Sequence, residues 1–257
     1  MTRILNRLKV YSLYFWDYLK HGEFTCVLNS FYYMLTRKSN APGGIVKTGM
    51  GTFKTRPKTL DFQYINNAYE LSIKEFILKH NFDVFIDAGA CIGEYSVWLA
   101  KMGKTCFTFE PITYSYDVIN ENIKLNNVEE TVKVFNYGLG KQHEVDYFII
   151  NKTNFGASKK VNQQVEGAER FEINAIDDVF ESFNIPVNSN ILFKIDVEGM
   201  ELELFQGAKN FIKKYPNILF IIEEKHTGEQ NIKELLNTYS IFEYGTVDEY
   251  NFYARKC

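Results

Sequence analysis

No two of the four cysteines, Cys26, Cys91, Cys106 and Cys257, form a C-x-x-C pair, and none stands at metal-ligand spacing from a histidine. A disulfide scaffold or a zinc ribbon is therefore not expected, and reduced thiols in a cytoplasmic protein are the simplest account. Long apolar runs are missing too. The basic first residues lead into Tyr11 to Trp16, but Asp17 and Lys20 break that run early, so neither a signal-peptide core nor a spanning helix is expected. There is no internal repeat and no low-complexity segment. What remains is close to a globular average, with 46% hydrophobic and 24% charged residues in 257, enough for one domain with a full core plus an extension. Aromatics are abundant at 16%, which favours strands and large apolar contacts.

The net charge of -3 hides an asymmetry: residues 1–60 carry ten Lys and Arg against two acidic residues, leaving nineteen against thirty in the rest. A basic front on an acidic body fits either docking of the front on the body or an anionic partner. Within that front, Ile4, Leu5, Leu8, Tyr11, Phe15, Trp16 and Leu19 fall on one helical stripe, and Phe24, Val27, Leu28, Phe31, Tyr32 and Leu35 repeat the pattern after a turn at His21-Gly22. Two such helices suit packing on the domain, homodimerisation, or peripheral contact with a membrane.

The chain is organised around Phe85-Ile86-Asp87-Ala88-Gly89-Ala90-Cys91-Ile92-Gly93-Glu94-Tyr95-Ser96. An apolar strand closes on Asp87, passes a turn holding Gly89 and Gly93, and enters an amphipathic run. Strand, glycine turn and helix in that order make a nucleotide-type site. The G-x-G-x-x-G spacing of dinucleotide sites fails, since the second and third positions are Cys91 and Glu94. An acidic strand end with two glycines four apart is closer to an S-adenosylmethionine loop.

Asn40 to Gly44 reads as a boundary between a helical extension, 1–40, and a hairpin and helix, 41–80, that lead into the core, 81–257. From Asp83 the chain alternates: strands at 83–88, 105–109, 132–136, 191–196 and 217–224, helices near 94–102, 113–126, 199–214 and 229–238. That repetition predicts a Rossmann-like α/β fold with a doubly wound, mostly parallel sheet. An insert at about 140–175 offers two further strands around a polar loop, and 240–255 reads as a closing antiparallel hairpin.

Ligands of such sheets bind at the carboxyl ends of the strands. Those ends carry Asp87 with the glycine loop, Glu110-Pro111, Asn136-Tyr137, Asp196-Val197-Glu198, and Glu223-Glu224-Lys225-His226. Glu110 is placed to accept ribose hydroxyls, and Asn136 and Tyr137 to meet an adenine. With Phe109-Glu110-Pro111, Gly156-Ala157-Ser158, Ile195-Asp196-Val197-Glu198-Gly199-Met200-Glu201 and Glu224-Lys225-His226, the glycine loop resembles the FkbM family of S-adenosylmethionine-dependent methyltransferases, from about Ile45 to the C-terminus. A class I methyltransferase fold ending in an antiparallel hairpin fits that resemblance. The resemblance implies O-methylation of a hydroxyl of a sugar, a glycan or a polyketide-type product; a sugar in a glycan or lipid-linked saccharide is the expected acceptor, and no nucleic-acid partner is expected. It also implies a cofactor site built from Asp87, Gly89, Ala90, Cys91, Gly93, Tyr95, Ser96, Glu110, Pro111, Asn136, Tyr137 and Asp196. The family commonly has Asn where Cys91 stands.

An acceptor hydroxyl is a poor nucleophile, and Asp196 and His226 are the candidates for its base. Glu198 is expected at the start of the following helix, and Glu224 beside His226. Asp196, Glu224 and His226 are also the donors a divalent metal would use, although no closed metal motif is present and a metal is not favoured. The alternatives are a methyltransferase of RNA or of a small metabolite, and a non-catalytic nucleotide-binding module docked on a glycan-assembly complex. Base methylation usually goes with an Asn/Asp-Pro-Pro-aromatic turn, which Asp196-Val197-Glu198-Gly199 does not supply. The expected location is the cytoplasm, with peripheral contact at the inner face of the membrane as an extension of it.

Overall fold

A computed structural model of the chain describes residues 2–151, 153, 159–161, 165–224 and 228–257. Helices α1 (Thr2–His21) and α2 (Phe24–Thr36) are followed by a hairpin of β1 (Gly44–Lys47) and β2 (Thr52–Thr55), then by α3 (Asp61–Tyr64) and α4 (Leu71–Leu78). The core begins with β3 (Val84–Ala88), α5 (Glu94–Lys101), β4 (Thr105–Phe109), α6 (Thr113–Asn126) and β5 (Val132–Phe135). Next come β6 (Gly138–Leu139), β7 (Glu144–Ile149), β8 (Lys159–Val161), β9 (Ala168–Asn174) and α7 (Ile176–Val179). The chain closes with β10 (Ile191–Ile195), α8 (Glu201–Gln206), α9 (Lys209–Lys214), β11 (Ile218–Glu223), α10 (Glu229–Asn237), β12 (Phe242–Thr246) and β13 (Asn251–Lys256).

Seven strands form the main sheet in the order β12-β13-β11-β10-β3-β4-β5, with β13 antiparallel to both neighbours and the other pairs parallel. This is the Rossmann-like, doubly wound arrangement that the β-α alternation predicts, closed by an antiparallel hairpin. The chain runs outward from β3 to β5 and then returns to β10 on the other side of β3, so the strand order reverses between β3 and β10. Helices cover both faces, which is why β3 and β10 are buried along their whole length. Side chains alternate between two cores. Phe85, Cys106, Leu192 and Leu219 pack with α5, α6 and the N-terminal elements. Ile86, Phe107, Phe193 and Phe220 pack under α8 to α10.

The insert forms its own four-stranded sheet, β6-β9-β7-β8, and a small core of Ile112, Phe148, Phe171, Ile173 and Met200. The β1–β2 hairpin is held on α6 by Asn122 and Asn126, whose side-chain oxygens accept from the N–H groups of Lys54 at 2.6 Å and Thr52 at 2.9 Å.

One reading of the sequence needs correction. The helix expected over 199–214 is broken in two at Gly207, where a Cβ would sit 2.1 Å from the carbonyl oxygen of Gly140. The close approach of the Gly140 backbone leaves room for glycine alone at that position, and glycine is also a poor helix former. In the described part of the apolar stripe of α1, Tyr11, Trp16 and Leu19 are exposed. Trp16 is 63% exposed, while Asp17 and Tyr18 are buried.

Candidate functional site

A cleft of about 220 Å³ opens at the carboxyl ends of the strands, beside the reversal between β3 and β10. Two backbones meet there. The N–H of Asp196 donates to the carbonyl of Ala88 at 3.0 Å, and a Cβ on Gly89 would lie 1.9 Å from the carbonyl oxygen of Asp196. Gly89, at φ +87°, thus fits the left-handed turn and lets the two loops touch.

Below the rim, one face of the sheet carries a polar row. Lys194 and Asp87 are register partners, as are Asp87 and Thr108. Ser96 on α5 donates to Asp87 Oδ2 at 2.9 Å and accepts from Thr108 Oγ1 at 2.8 Å. Asp87 Oδ1 is buried without a hydrogen-bond partner, and burial pushes the carboxyl up to about 6, against the nearby charge of Lys194. Lys194 Nζ lies 3.1 Å from Asp196 Oδ2 and 5.3 Å from the ring centroid of Tyr95. Burial alone would lower its pKa; Asp196 foremost, then Glu70, Asp87 and Glu94, raise it well above the ordinary lysine value.

Glu110 is almost fully buried, and each of its oxygens is already engaged. Oε2 accepts from the N–H of Cys91 and Oε1 from that of Ile112, both at 2.9 Å. Burial lifts this carboxyl to about 7, although both N–H bonds pull the other way. Glu110 therefore braces the glycine loop at Cys91, a residue held at φ +53°. Behind Cys91, buried Arg56 grips Asp61 through Nε and Nη2, at 2.8 and 2.7 Å, and donates from Nη1 to Ser115 at 2.7 Å. Its Nη2 also reaches the Cys91 thiol at 3.5 Å.

Among the residues expected from the sequence, Gly89, Cys91, Glu110, Pro111, Asp196 and Glu198 line the cleft. Asp87, Ala90, Gly93, Tyr95 and Ser96 lie behind it. Ala90 donates its N–H to Phe109, Gly93 caps α5, and Tyr95 donates to Glu70 Oε2 at 2.7 Å. Asn136 turns its amide to the carbonyls of Glu110 and Pro111, and Tyr137 packs against Phe109 and Phe135. Neither is among the cleft-lining residues. Glu224 is not at the cleft; its Oε2 accepts from the N–H of Glu229 at 3.0 Å, at the start of α10. His226 and the Gly156-Ala157-Ser158 motif lie outside the described residues. Glu198 precedes α8 rather than beginning it, and Glu201 accepts from the Gly199 N–H in its place.

The carboxylates that do come together are those of Asp196, Glu198 and Glu223, with oxygens within 4.8 Å of one another. Among the described residues these three could hold a divalent ion; Glu224 is not one of them, and His226 lies outside the described residues. Glu223 hydrogen-bonds Asp196 and is pushed up to about 9, by burial first and then by the charge of Asp196. Tyr64, Tyr69, Glu70 and Glu94 also line the cleft, as do Phe148 and Ile173 of the insert. The sequence reading missed all of these. Glu94 stands in the glycine-loop motif and Lys194 near its strand end, but no local signal says that either is buried beside the cleft.

A doubly wound sheet of this strand order, closed by an antiparallel hairpin and carrying a glycine turn at its reversal, defines the Rossmann-like class I methyltransferase fold. The profile of the methyltransferase FkbM domain matches residues 87–250, and the chain belongs to that family. It is 30% identical over 146 residues to the hexuronic acid methyltransferase AglP of Haloferax volcanii, covering 57% of each chain. It is 27% identical over 174 residues to the methyltransferase sdnD of Sordaria araneosa, covering 52% of this chain and 67% of that one. A solved FkbM methyltransferase from Methylobacillus flagellatus superposes with a TM-score of 0.49 at 18% identity, over 68% of this chain and 43% of that one. The chain thus spans little more than half the length of AglP.

Proposed function

We propose that this protein transfers a methyl group from S-adenosylmethionine to a hydroxyl of a sugar, in a glycan or a lipid-linked saccharide. The acid side chains of the cleft carry this reading, because a cation bound among them would draw those that burial holds protonated back toward the charged form. Glu70, Glu94, Glu110, Asp196, Glu198 and Glu223 line the cleft, with Lys194 the one cationic side chain among the described lining residues. Such a wall favours a cationic ligand and disfavours a nucleoside polyphosphate. Glu94 fits the same ligand: its Oε2 is buried with no hydrogen-bond partner, an acceptor left for an ammonium group. Gly89 and Cys91 would hold the ligand by their backbone and Glu110 by its remaining lone pairs at the ribose, while Ile112 and Leu139 supply an apolar wall for a base. When bound, the sulfonium supplies a methyl group that is already electrophilic. The sugar acceptor is supported by the name of AglP, a hexuronic acid methyltransferase.

The protein's own work is to place the hydroxyl and take its proton. Asp196 is the base in this reading, half-exposed at the cleft and held in orientation by the Lys194 ammonium at Oδ2. Glu223 enters neutral and donates its proton to the hydrogen bond with Asp196, so the pair carries one negative charge rather than two. Calorimetric titration with S-adenosylhomocysteine, with NAD as the control, tests the cofactor; sugar acceptors are then screened with and without magnesium. Saturable binding of the former alone is expected. Asp196→Asn should keep that affinity while turnover falls about 10²–10⁴-fold, and a fully active variant would remove Asp196 from the role.

A further inference from the structure

The N-terminal helical hairpin is built inside out. On α2 the residues turned to solvent are Phe24, Leu28, Phe31 and Leu35, one stripe at helical spacing, exposed by 63, 70, 49 and 87%. The residues turned inward are Cys26, Asn29 and Ser30; Ser30 donates to the Cys26 carbonyl and Asn29 Oδ1 accepts from the Asn40 N–H. No charged residue occurs between Phe24 and Thr36. On α1, Trp16 and Leu19 are exposed beside buried Asp17 and Tyr18, and Phe15 stacks on Phe31 at 4.7 Å, joining the two helices. We propose that this outer face lies in the headgroup–acyl boundary of an anionic phospholipid membrane.

Charge decides between a bilayer and a second copy of the chain. The two acidic residues of the front are tied inward. Asp17 accepts from the N–H groups of Gly49 and Asn67, at 2.8 and 2.9 Å, and Glu23 accepts from that of Lys47 at 2.7 Å. Exposed Lys20, Arg37 and Lys38 remain around the apolar stripe. A basic rim on an apolar face matches an anionic bilayer, whereas a two-fold dimer through the same face would bring like charges together. Trp16, Tyr11 and Tyr32, all exposed, are the amphipathic rings that settle at headgroup depth. No described helix is long and apolar enough to cross a membrane, so the hairpin lies on the surface.

The hairpin is also fastened to the cleft. Asn66 donates to the Tyr14 carbonyl at 2.9 Å, and the N–H of Asn67 donates to Asp17. Tyr69 and Glu70, a few residues on, line the cleft. A membrane-seated hairpin would therefore hold the cleft in a fixed attitude to the bilayer, as a lipid-linked acceptor requires; only this clause rests on the function proposed above.

Flotation of the full chain with vesicles tests the surface. Vesicles of phosphatidylcholine containing about a third phosphatidylglycerol are expected to carry the protein at least about tenfold more strongly than phosphatidylcholine alone at physiological salt. The variant Trp16→Ser/Leu28→Ser/Leu35→Ser removes exposed groups only, and should lose vesicle binding about tenfold with its thermal midpoint kept. Lys20→Glu/Arg37→Glu/Lys38→Glu should abolish the preference for phosphatidylglycerol. Absence of binding to either vesicle, or equal binding by the serine variant, overturns the proposal. So does a dimer in sedimentation equilibrium that the serine variant dissolves, since the face would then belong to a second copy. Vesicle binding without affinity for S-adenosylhomocysteine would sink the function and leave this surface standing.

Discussion

Glu110 shows how burial changes the meaning of a site residue. Its position at a strand end predicts a free carboxylate waiting for ribose, and the structure finds both oxygens holding backbone N–H groups of the loops on either side. Substitution there is not neutral for the fold. Glu110→Gln turns one acceptor into a donor facing an N–H, and should cost about 1–3 kcal/mol in urea unfolding together with weakened S-adenosylhomocysteine binding. A variant as stable as the parent would mean that Glu110 does not brace the loop. Cys91 is the complementary case. It adopts a left-handed conformation that Asn tolerates better than most side chains. Cys91→Asn should leave the fold intact, with a thermal midpoint equal to or above that of the parent. A lower midpoint would mean that the contact between Arg56 and the thiol outweighs the backbone term.

At the scale of elements, the core strands were legible because buried apolar runs such as Ile218 to Ile222 announce themselves, and α6 because its periodicity survives to both ends. Legibility failed where a distant contact decides. The need for glycine at 207 comes from the carbonyl of Gly140, which no local pattern encodes. Gly207→Ala should therefore destabilise by more than the usual helix preference for Ala would suggest; an increase in stability would show that the Gly140 loop moves aside. The N-terminal helices expose a related limit. Periodicity finds an apolar stripe, but it cannot say whether that stripe faces protein. Charged residues hide in the same way: that Glu94 and Lys194 are buried follows from how the helix and strand bearing them are covered, which their own positions do not tell.

For the whole molecule, the clustered carboxyls tie stability to pH. Asp87, Glu110 and Glu94 are raised by burial to about 6, 7 and 8 in the folded state, above the ordinary carboxyl range of the unfolded chain. The folded state thus holds protons the unfolded state has released, so this contribution is fully present below about pH 4 and fades as pH rises through 6 to 8. Lys74, lowered to about 8 by burial, acts in the opposite sense only above that pH. The unliganded protein should accordingly lose several degrees in thermal midpoint between pH 5.5 and 8, by about the size expected for a few kcal/mol. Glu94→Gln should flatten the fall. A midpoint constant across that window, or an unchanged slope in the variant, would contradict burial as what holds these carboxyls protonated.

The junction of Gly89 with the carbonyl of Asp196 has a consequence for how the molecule is made. The strand that carries the glycine turn is translated long before its partner: Ala88 pairs with Ile195, and every residue of the insert is synthesised between them. Until β10 has cleared the ribosome, the nascent chain owns a glycine loop with no opposing wall, and β3 is a strand with one buried edge unfilled. Half a site would have nothing to clasp, so ligand cannot assist the early chain; it can only reward the finished one.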